Sequence, residues 1–356
     1  MRLDDREWKN FKIEEIFRIS PGKRLEKRNM IAGNRPFIGA SDSSNGVTGF
    51  CGNLNESIDR NVLGINYNGS VCEAFYHGYE CVFSDDVKRL HLKNHVDNKY
   101  VLLFLSTIIR QQKSKYQYAY KFNEQRMKRQ SIMIPITEQG EPDYQFMEDY
   151  IRELMERKRK QYVQYAEKQL KELEKTNKIF GGGVHTNNNH EWKPFSVVSV
   201  FHEYERGKRL KKSDHKQGVV PYASSTGDNN GIDGFIEASE GTRIFHDCIS
   251  LANSGSVGSA FYEPFYFVAS DHVTHLKRSG LNKWHYLFLS CVLKEQSSNF
   301  NFNREINDAR LKKMQIMLPV TDCGEPDYSF METVGKTIMA NKYKQYMSYV
   351  NHYCSQ

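Results

Sequence analysis

Two short stretches of this 356-residue sequence place paired cations directly behind a glycine: Gly22-Lys23-Arg24 and Gly207-Lys208-Arg209. A glycine lets the backbone turn toward a ligand, and two cations at such a turn suit contact with phosphate oxygens. An ordinary surface turn is the competing reading. Ser41-Asp42-Ser43-Ser44-Asn45-Gly46 and Ser224-Ser225-Thr226-Gly227-Asp228-Asn229-Asn230-Gly231 are dense in short donors and acceptors. Asn-Gly is itself a tight turn, but the polar run is longer than a turn requires and suits base-edge or sugar contact. Asn66-Tyr67-Asn68-Gly69-Ser70 and Asn253-Ser254-Gly255-Ser256 form a third such place. The stretch from Lys113 through Lys115, Tyr116 and Tyr120 to Lys121 interleaves cations with rings, and the stretch from Gln296 to Arg304 has the same character. That mixture combines charge neutralisation with stacking. The candidate nucleic-acid contacts are therefore Lys23, Arg24, Ser41, Ser43, Asn45, Asn68, Lys115, Tyr116 and Lys121, and then Lys208, Arg209, Ser225, Asn229, Asn230, Ser254 and Arg304.

Catalytic arrangements fare worse. Pro142-Asp143 followed by Glu156-Arg157-Lys158 has the letters of a PD-(D/E)-x-K nuclease, in which two acids hold Mg²⁺ and the lysine orients a water. Pro326-Asp327 repeats the first half, but Ala340-Asn341-Lys342 lacks the acid, so a helix-start turn and a solvated helix face explain the letters better. Phe180-Gly181-Gly182-Gly183 echoes a methyltransferase glycine loop, yet it follows a helical pattern rather than a strand and has no Asn-Pro-Pro-Tyr-like partner. No Walker A loop and no H-E-x-x-H segment occurs. His91 with His95, or His272 with His275, would need a third ligand from elsewhere to bind metal, and they read as isolated surface or loop histidines. Cys72 and Cys81 lie in apolar, strand-like runs and read as small core residues.

The elements that position these motifs come in duplicate. Trp8-Lys9-Asn10-Phe11 recurs as Trp192-Lys193-Pro194-Phe195, Leu103-Phe104-Leu105-Ser106 as Leu287-Phe288-Leu289-Ser290, and Gly140-Glu141-Pro142-Asp143-Tyr144 as Gly324-Glu325-Pro326-Asp327-Tyr328, each 184 residues later. The sequence is one unit written twice. Within a copy, apolar runs at 62–65, 80–83 and 132–136 predict strands, and 99–111 predicts a helix. Pro142 suits the start of a further helix. There Met147, Ile151, Leu154, Lys158, Tyr162, Tyr165, Gln169 and Leu173 step by three or four residues. Met331, Ile338, Lys342, Tyr346 and Tyr349 repeat the phase. The mean step of about 3.7 lies nearer to an eleven-residue repeat than to a heptad and predicts a nearly straight or slightly right-handed coil. Thirty residues from Phe146 to Lys175 would span roughly 45 Å, and the natural partner for such a stripe is its own second copy. A Gly- and Asn-rich linker joins the copies.

Composition bounds the rest. With 39% hydrophobic and 13% aromatic residues the chain can build sizeable cores. No window approaches about 18 consecutive apolar residues, and seven cysteines without a C-x-x-C pair fit neither a disulfide framework nor a zinc knuckle. The expected setting is a reducing cytoplasm, with no membrane partner. A net charge of +7 is compatible with a polyanionic partner without establishing one.

Trp-x-x-Phe opening each copy, the Gly-Lys-Arg loops, Pro36-Phe37-Ile38 and Pro221-Tyr222-Ala223 ahead of the Asn-Gly segments, Gly69 and Gly255, Phe83-Ser84-Asp85-Asp86-Val87 and Val268-Ala269-Ser270-Asp271-His272-Val273, Ile134-Pro135 and Leu318-Pro319, and then a long helix, all twice over, together resemble the DNA-specificity subunits of Type I and multi-subunit Type IIB restriction-modification systems. The resemblance covers nearly the whole chain. It implies an α+β fold: two tandem mixed α/β target-recognition domains, each followed by a long helix, the helices pairing as an antiparallel coiled coil with pseudo-twofold symmetry. The expected boundaries are 1–140 and 192–324 for the domains, 141–178 and 325–356 for the spacer helices, and 179–191 for the linker. It further implies a non-catalytic subunit that reads a bipartite, asymmetric double-stranded DNA target. Adenine methyltransferase subunits, fused to or accompanied by a nuclease, would dock on the helices through residues such as Arg152, Lys158, Tyr162, Lys342 and Tyr346. No cofactor is expected in this chain; S-adenosylmethionine and Mg²⁺ belong to the partners. The first loop of the family is often Gly-x-Thr-Pro-like, whereas both copies here read Gly-Lys-Arg-Leu. The alternative is a DNA-modifying enzyme, nuclease or methyltransferase, acting in its own right.

Overall fold

A computed structural model of the chain describes residues 1–116, 120–179, 190–238, 241–301 and 303–353. It divides into two units, Met1–Tyr162 and Val163–Gln356. Most of the expected linker, including Gly181 to Gly183, lies outside the described residues, as do residues 117–119 and 302 of the two ring-bearing stretches.

In the first unit the chain runs β1 (Trp8–Lys12), α1 (Ile13–Ile16), β2 (Phe17–Pro21), β3 (Arg35–Ile38), β4 (Val47–Cys51), β5 (Ile58–Asp59), β6 (Val62–Asn66), β7 (Ala74–His77), β8 (Cys81–Phe83), β9 (Val87–Leu92), α2 (Lys99–Arg110), α3 (Glu124–Arg129) and β10 (Ser131–Pro135), and enters the helix α4 (Tyr144–Ile179). One four-stranded sheet has the order β2-β9-β6-β7, another β4-β3-β8-β5, and β1 pairs with β10. The strands pair antiparallel except β3 with β8, where Phe37 and Ile38 run parallel to Val82 and Phe83. Every residue of β6 is buried, as befits a central strand. Against this sheet packs α2, whose Val101, Leu102, Leu105, Ile108 and Ile109 repeat at helical spacing and join Ile65, Leu90 and Ile132 in the main core. Asn98 caps α2 by accepting from the Tyr100 amide at 2.8 Å.

The second unit repeats this element by element. It runs β11 (Trp192–Ser196), α5 (Val197–Val200), β12 (Glu203–Arg206), β13 (Gln217–Ala223), β14 (Ile232–Ile236), β15 (Ile244–Phe245), β16 (Cys248–Ala252), β17 (Ala260–Glu263), β18 (Phe267–Ala269), β19 (Val273–Lys277), α6 (Lys283–Glu295), α7 (Asp308–Lys313), β20 (Gln315–Pro319) and α8 (Tyr328–Tyr353). Its sheets are ordered β12-β19-β16-β17 and β14-β13-β18-β15, with β11 paired to β20. Even register is kept: Trp192 lies opposite Pro319 as Trp8 lies opposite Pro135.

The long helices start on a shared device. Asp143 Oδ1 accepts from the Phe146 amide and Asp327 Oδ1 from the Phe330 amide, each at 2.9 Å, which satisfies an amide the helix cannot. Arg6 holds the second oxygen of Asp143, and His190 that of Asp327. Pro142 and Pro326 therefore precede the capping residue instead of opening the first turn. The same geometry disposes of the nuclease letters. Glu156 is 13 residues from Asp143, roughly 20 Å along a helix, and is paired with Arg159 and Lys160.

The buried stripe matches the expected one at Met147, Leu173 and Met331 and departs from it elsewhere. Within the second unit, Ala166 and Leu173 of α4 share an apolar cluster with Ala340 and Tyr343 of α8 and with Trp284, while Leu170 and Met347 pack at its edge. Positions 166, 170 and 173, like 336, 340, 343 and 347, step by four and three residues, a rhythm that a heptad and an eleven-residue repeat share. Tyr165 and Tyr349, expected in the stripe, are 50% and 57% exposed, and Ile338 is exposed as well. The cluster thus mixes two small alanines with the buried ring of Tyr343, against which the Tyr165 ring stands edge-on at 6.2 Å. No helix among the described residues is long and apolar enough to cross a membrane.

Candidate nucleic-acid interface

In the first unit the candidate loops hang from one corner, the Ser84-to-Val87 turn between β8 and β9. Gly22 N donates to Val87 O (3.1 Å) and Lys23 N to Phe83 O (2.9 Å); Ser84 N donates to Ile38 O (2.9 Å), at the mouth of the Ser41-to-Gly46 turn; Tyr67 N donates to Asp86 O (3.1 Å). The turn and the third loop are joined in their turn by Ser70 N to Ala40 O (3.1 Å) and by Asn66 Nδ2 to Ser41 O (2.9 Å). The ring-bearing stretch reaches the same loop through Lys113, whose ammonium meets the buried Glu73 carboxylate at 2.5 Å, with Arg110 on the other oxygen at 2.8 Å. The second unit repeats the construction: Gly207 N to Val273 O, Ser270 N to Ala223 O, Asn253 N to His272 O, Ser256 N to Ser225 O and Ile306 N to Asn253 O all lie between 2.8 and 3.0 Å.

Glycine has a different task here from the one the sequence suggested. A Cβ on Gly22 would lie 2.0 Å from Ser84 O, and one on Gly207 2.0 Å from Ala269 O. These residues are glycine because the loop is pressed against a carbonyl, not because its backbone must approach a ligand. Gly69 and Gly255 answer to a positive φ of 57° and 59° besides. The Asn-Gly turns hold consecutive non-glycine residues in the left-handed region, Ser44 and Asn45 (φ 49° and 55°) and Asn229 and Asn230 (49° and 54°), where Asn is among the best tolerated.

The individual side chains are placed unevenly. Arg24 is 73% exposed with Glu26 at 3.7 Å, and Arg209 is exposed with no ion pair among the described residues. Lys23 pairs with Glu56 at 2.5 Å, and that ammonium holds the Glu56 carboxyl below its ordinary value. Lys208 donates to Gly241 O at 3.2 Å. Ser43, Asn45, Asn229 and Asn230 are exposed and Ser41 and Ser225 half-buried; Ser41 and Ser43 share a hydroxyl contact of 3.0 Å. Asn45 donates to Tyr76 O at 3.3 Å, and Asn68 donates to Asp86 at 2.8 Å. Ser254 is inside, 5% exposed, with its hydroxyl 2.7 Å from His272 Nδ1. Lys115 is exposed and donates to Gln112, Lys121 is half-buried, and Arg304 is exposed over the Phe300 ring. Tyr116 is half-buried, its hydroxyl donating to Gln130 and its ring 4.3 Å from that of Phe122. Among the described residues of that stretch the exposed ring is Tyr120, with the Arg126 guanidinium 3.7 Å from its centroid.

Two groups escaped the sequence reading. His91 on β9 is not an isolated histidine: Asp97 lies 2.7 Å from Nδ1 and Asp59 3.0 Å from Nε2, while Arg89 holds Asp59 at 3.0 Å. Those two carboxylates, Asp59 first, push its pKa up to about 9. The partners come from 32 and 6 residues away, and no spacing rule announces them. His275 is likewise buried, bonded to Glu205 O at 2.8 Å. The second group is Phe50 and Phe235, one on each copy's edge strand and 60% and 55% exposed; the signal for them was their recurrence at the same place in the repeat. Cys72 and Cys81 are buried as expected, and burial pushes both thiols up to about 12. Among the described residues no three His, Cys, Asp or Glu side chains gather as a metal site.

Twinned α/β units with loops gathered at one corner define a tandem recognition module. The chain belongs to the Type I restriction modification DNA specificity domain family, whose model matches residues 5–165 and again 189–346. Over 149 residues it is 59% identical to the Type II restriction enzyme BgcI specificity subunit S.BcgI of Heyndrickxia coagulans; that match covers 42% of this chain and 44%, less than half, of the relative. Among solved structures it is similar to the Type-I restriction-modification S subunit from M. genitalium (14% identity, TM-score 0.47, 99% of this chain and 94% of that one). It is also similar to the HsdS subunit from Thermoanaerobacter tengcongensis (13% identity, TM-score 0.33, 95% and 90%).

Proposed function

We propose that this chain is the non-catalytic specificity subunit of a restriction-modification complex, each unit reading one block of a split double-stranded DNA target. The observation that carries this is the gathering, in both copies of a DNA-specificity domain, of the Gly-Lys-Arg, Asn-Gly and third polar loops on one corner by main-chain bonds, with Arg24 and Arg209 left outward. Methyl transfer and cleavage then fall to adenine methyltransferase and nuclease partners that bring S-adenosylmethionine and Mg²⁺. Their docking residues are assigned to the long helices taken one by one, the exposed Lys158 and Tyr162 on α4 and the exposed Lys342 with the half-buried Tyr346 on α8. Arg152 serves that face less directly, because it is paired with Glu148 and lies 3.9 Å over the Tyr100 ring.

Selection of duplexes from a randomised pool by the full chain tests the reading. The expected product is two unlike blocks around an unread spacer, neither methylated nor cut by the pure chain. A segment of about four residues inserted near Lys168 together with one near His352 adds about 6 Å of helix, close to two base pairs. The spacer is expected to lengthen accordingly while both blocks persist; a continuous target, or a spacer indifferent to the paired insertion in a folded variant, would count against it. Arg24→Ala and Arg209→Ala should each flatten the dependence of log affinity on log salt by about 0.9, one phosphate contact, with little change in the sequence selected. An unchanged slope in both would return these arginines to plain surface turns.

A further inference from the structure

The edge strands β4 and β14 carry a feature that the proposed function does not use. Val47-Thr48-Gly49-Phe50-Cys51 and Ile232-Asp233-Gly234-Phe235-Ile236 differ at three of five positions, yet both keep Gly-Phe. Each strand is hydrogen-bonded on one side only, to β3 or β13, and a bare edge strand ordinarily carries polar or charged residues.

The orientation of the rings follows from the pleat. Cys51 packs with Phe37, Val82, Leu25 and Met30, and Ile236 with Tyr222, Val268 and Leu210. Successive side chains alternate faces, so Phe50 and Phe235 project to the side away from that cluster. Leu25 and Met30 belong to the segment that opens with Lys23 and Arg24 and continues through Lys27 and Arg28. This segment is fastened to the end of β4 by Gly52 N to Ile31 O (2.8 Å), Ile31 N to Asn53 Oδ1 (2.8 Å) and Asn53 Nδ2 to Asn29 O (3.0 Å). In the second unit Glu237 N to Lys216 O (3.0 Å) fastens the corresponding basic segment. Each edge strand thus has cations on one flank, an uncovered aromatic ring on the other, and the polar Asn-Gly turn at its head.

Resting on the reading of the chain as a DNA-specificity subunit, we infer that Phe50 and Phe235 are apolar base contacts, each pressing on the base edges of its own half of the target. The basic segment on one flank selects the class of occupant, a polyanion, and the polar Asn-Gly turn at the strand's head, read above as a base-edge contact, brings the strand and its ring to the same duplex. An apolar side chain there gains from thymine methyl groups and from unstacked base faces, and it does so without a hydrogen-bond code. That explains why the ring recurs in both copies while the polar loop letters change.

The test uses the full chain and a duplex it has selected from a randomised pool. A photoreactive phenylalanine analogue is placed at position 50, at 235, or at Val96, an 81% exposed position outside the loop corner. Irradiation is expected to attach position 50 to bases of one block, position 235 to bases of the other, and position 96 to neither. Phe50→Ala and Phe235→Ala should each weaken binding about tenfold, with Phe50→Tyr and Phe235→Tyr restoring most of it. Adducts on a bound protein in place of DNA, or no base adduct while the duplex is retained, would overturn the inference and leave the DNA reading standing. If the wild-type chain retains no duplex at all, that reading fails first and the inference with it.

Discussion

Replacing Gly207 by alanine is expected to cost the second unit about 3 kcal/mol or more, and Gly22→Ala to do the same in the first. A methyl group at Gly207 would lie 2.0 Å from Ala269 O, 2.4 Å from Ala269 C and 2.4 Å from Ser270 O. These are backbone atoms of the turn that anchors the candidate loops, so no side chain can swing aside. Overpacking of a core costs roughly 1–3 kcal/mol, and more when the neighbour is backbone. In a unit of this size each kcal/mol moves the melting temperature by about 2–4 °C. Calorimetry of the full chain should show a fall of about 6–12 °C in the transition of the altered unit. The strain relaxes only by pushing the loop off the turn, and that carries Lys208 and Arg209 away with it. DNA affinity is therefore expected to fall in any Gly207→Ala protein that still folds. A melting profile within a degree of wild type would show that the loop does not sit where the structure places it.

Raising the pH from 5 to 8 is expected to destabilise the second unit through one carboxyl group. Glu263 on β17 is 1% exposed and burial pushes its pKa up to about 7; the Ser250 hydroxyl, 2.9 Å away on β16, offsets part of this. The folded unit holds this proton more tightly than the unfolded chain does. Its contribution is complete below about pH 4.5 and is lost as pH rises through about 7, a change of at most about 3 kcal/mol. Glu263→Gln keeps an acceptor for Ser250 and removes that titration, so the decline should vanish and leave only the gain with rising pH from His275 and His285, whose pKa values burial pushes down. The first unit behaves differently. His91, pushed up to about 9 by Asp59 and Asp97, contributes fully below about pH 6.5 and loses that contribution as pH rises through about 9. His77, buried and pushed down to about 4, loses its contribution as pH falls below 6.5. The first unit is thus most stable near pH 6.5, whereas in the second the decline from Glu263 starts at lower pH and runs against the gain from His275 and His285. Urea titrations at pH 5, 6.5 and 8 separate the two; a Glu263→Gln protein that still loses stability between pH 5 and 7 would assign the decline to another group.

The repeat made the architecture readable before any coordinates. Strands near Val62, Cys81 and Ile132 and the helix at Lys99 fell within a residue or two of their places, because short apolar runs bounded by turn residues have few other uses. Longer-range facts were illegible. Part of the helix stripe was misread because tyrosines at helical spacing look like a buried face, whereas Tyr165 and Tyr349 stay exposed and Ala166, Ala340 and Tyr343 are the buried residues. Gly22 and Gly207 looked conformational, and only the turn 60 residues onward explains them. Of the candidate contacts, Arg24, Arg209, Asn229 and Asn230 come out on the surface where polarity suggested. Ser254 went inside, because a short hydroxyl satisfied by His272 is as well placed in a core as at its edge.

The loops of each corner are hung by main-chain amides and carbonyls, from Ser84 N and Tyr67 N in one unit to Ser270 N and Asn253 N in the other. Main-chain bonds do not ask which side chain they carry. Outside its few obligatory glycines and Asn66, whose side-chain amide also ties two loops together, such a corner can exchange one outward residue at a time without reworking the sheets beneath it. The two copies already display the result: one framework supports Ser41-Asp42-Ser43-Ser44 and the other Ser225-Thr226-Gly227-Asp228-Asn229. On the proposed reading, new target preferences are open to it through drift in the loops alone, with each unit free to change independently of its twin.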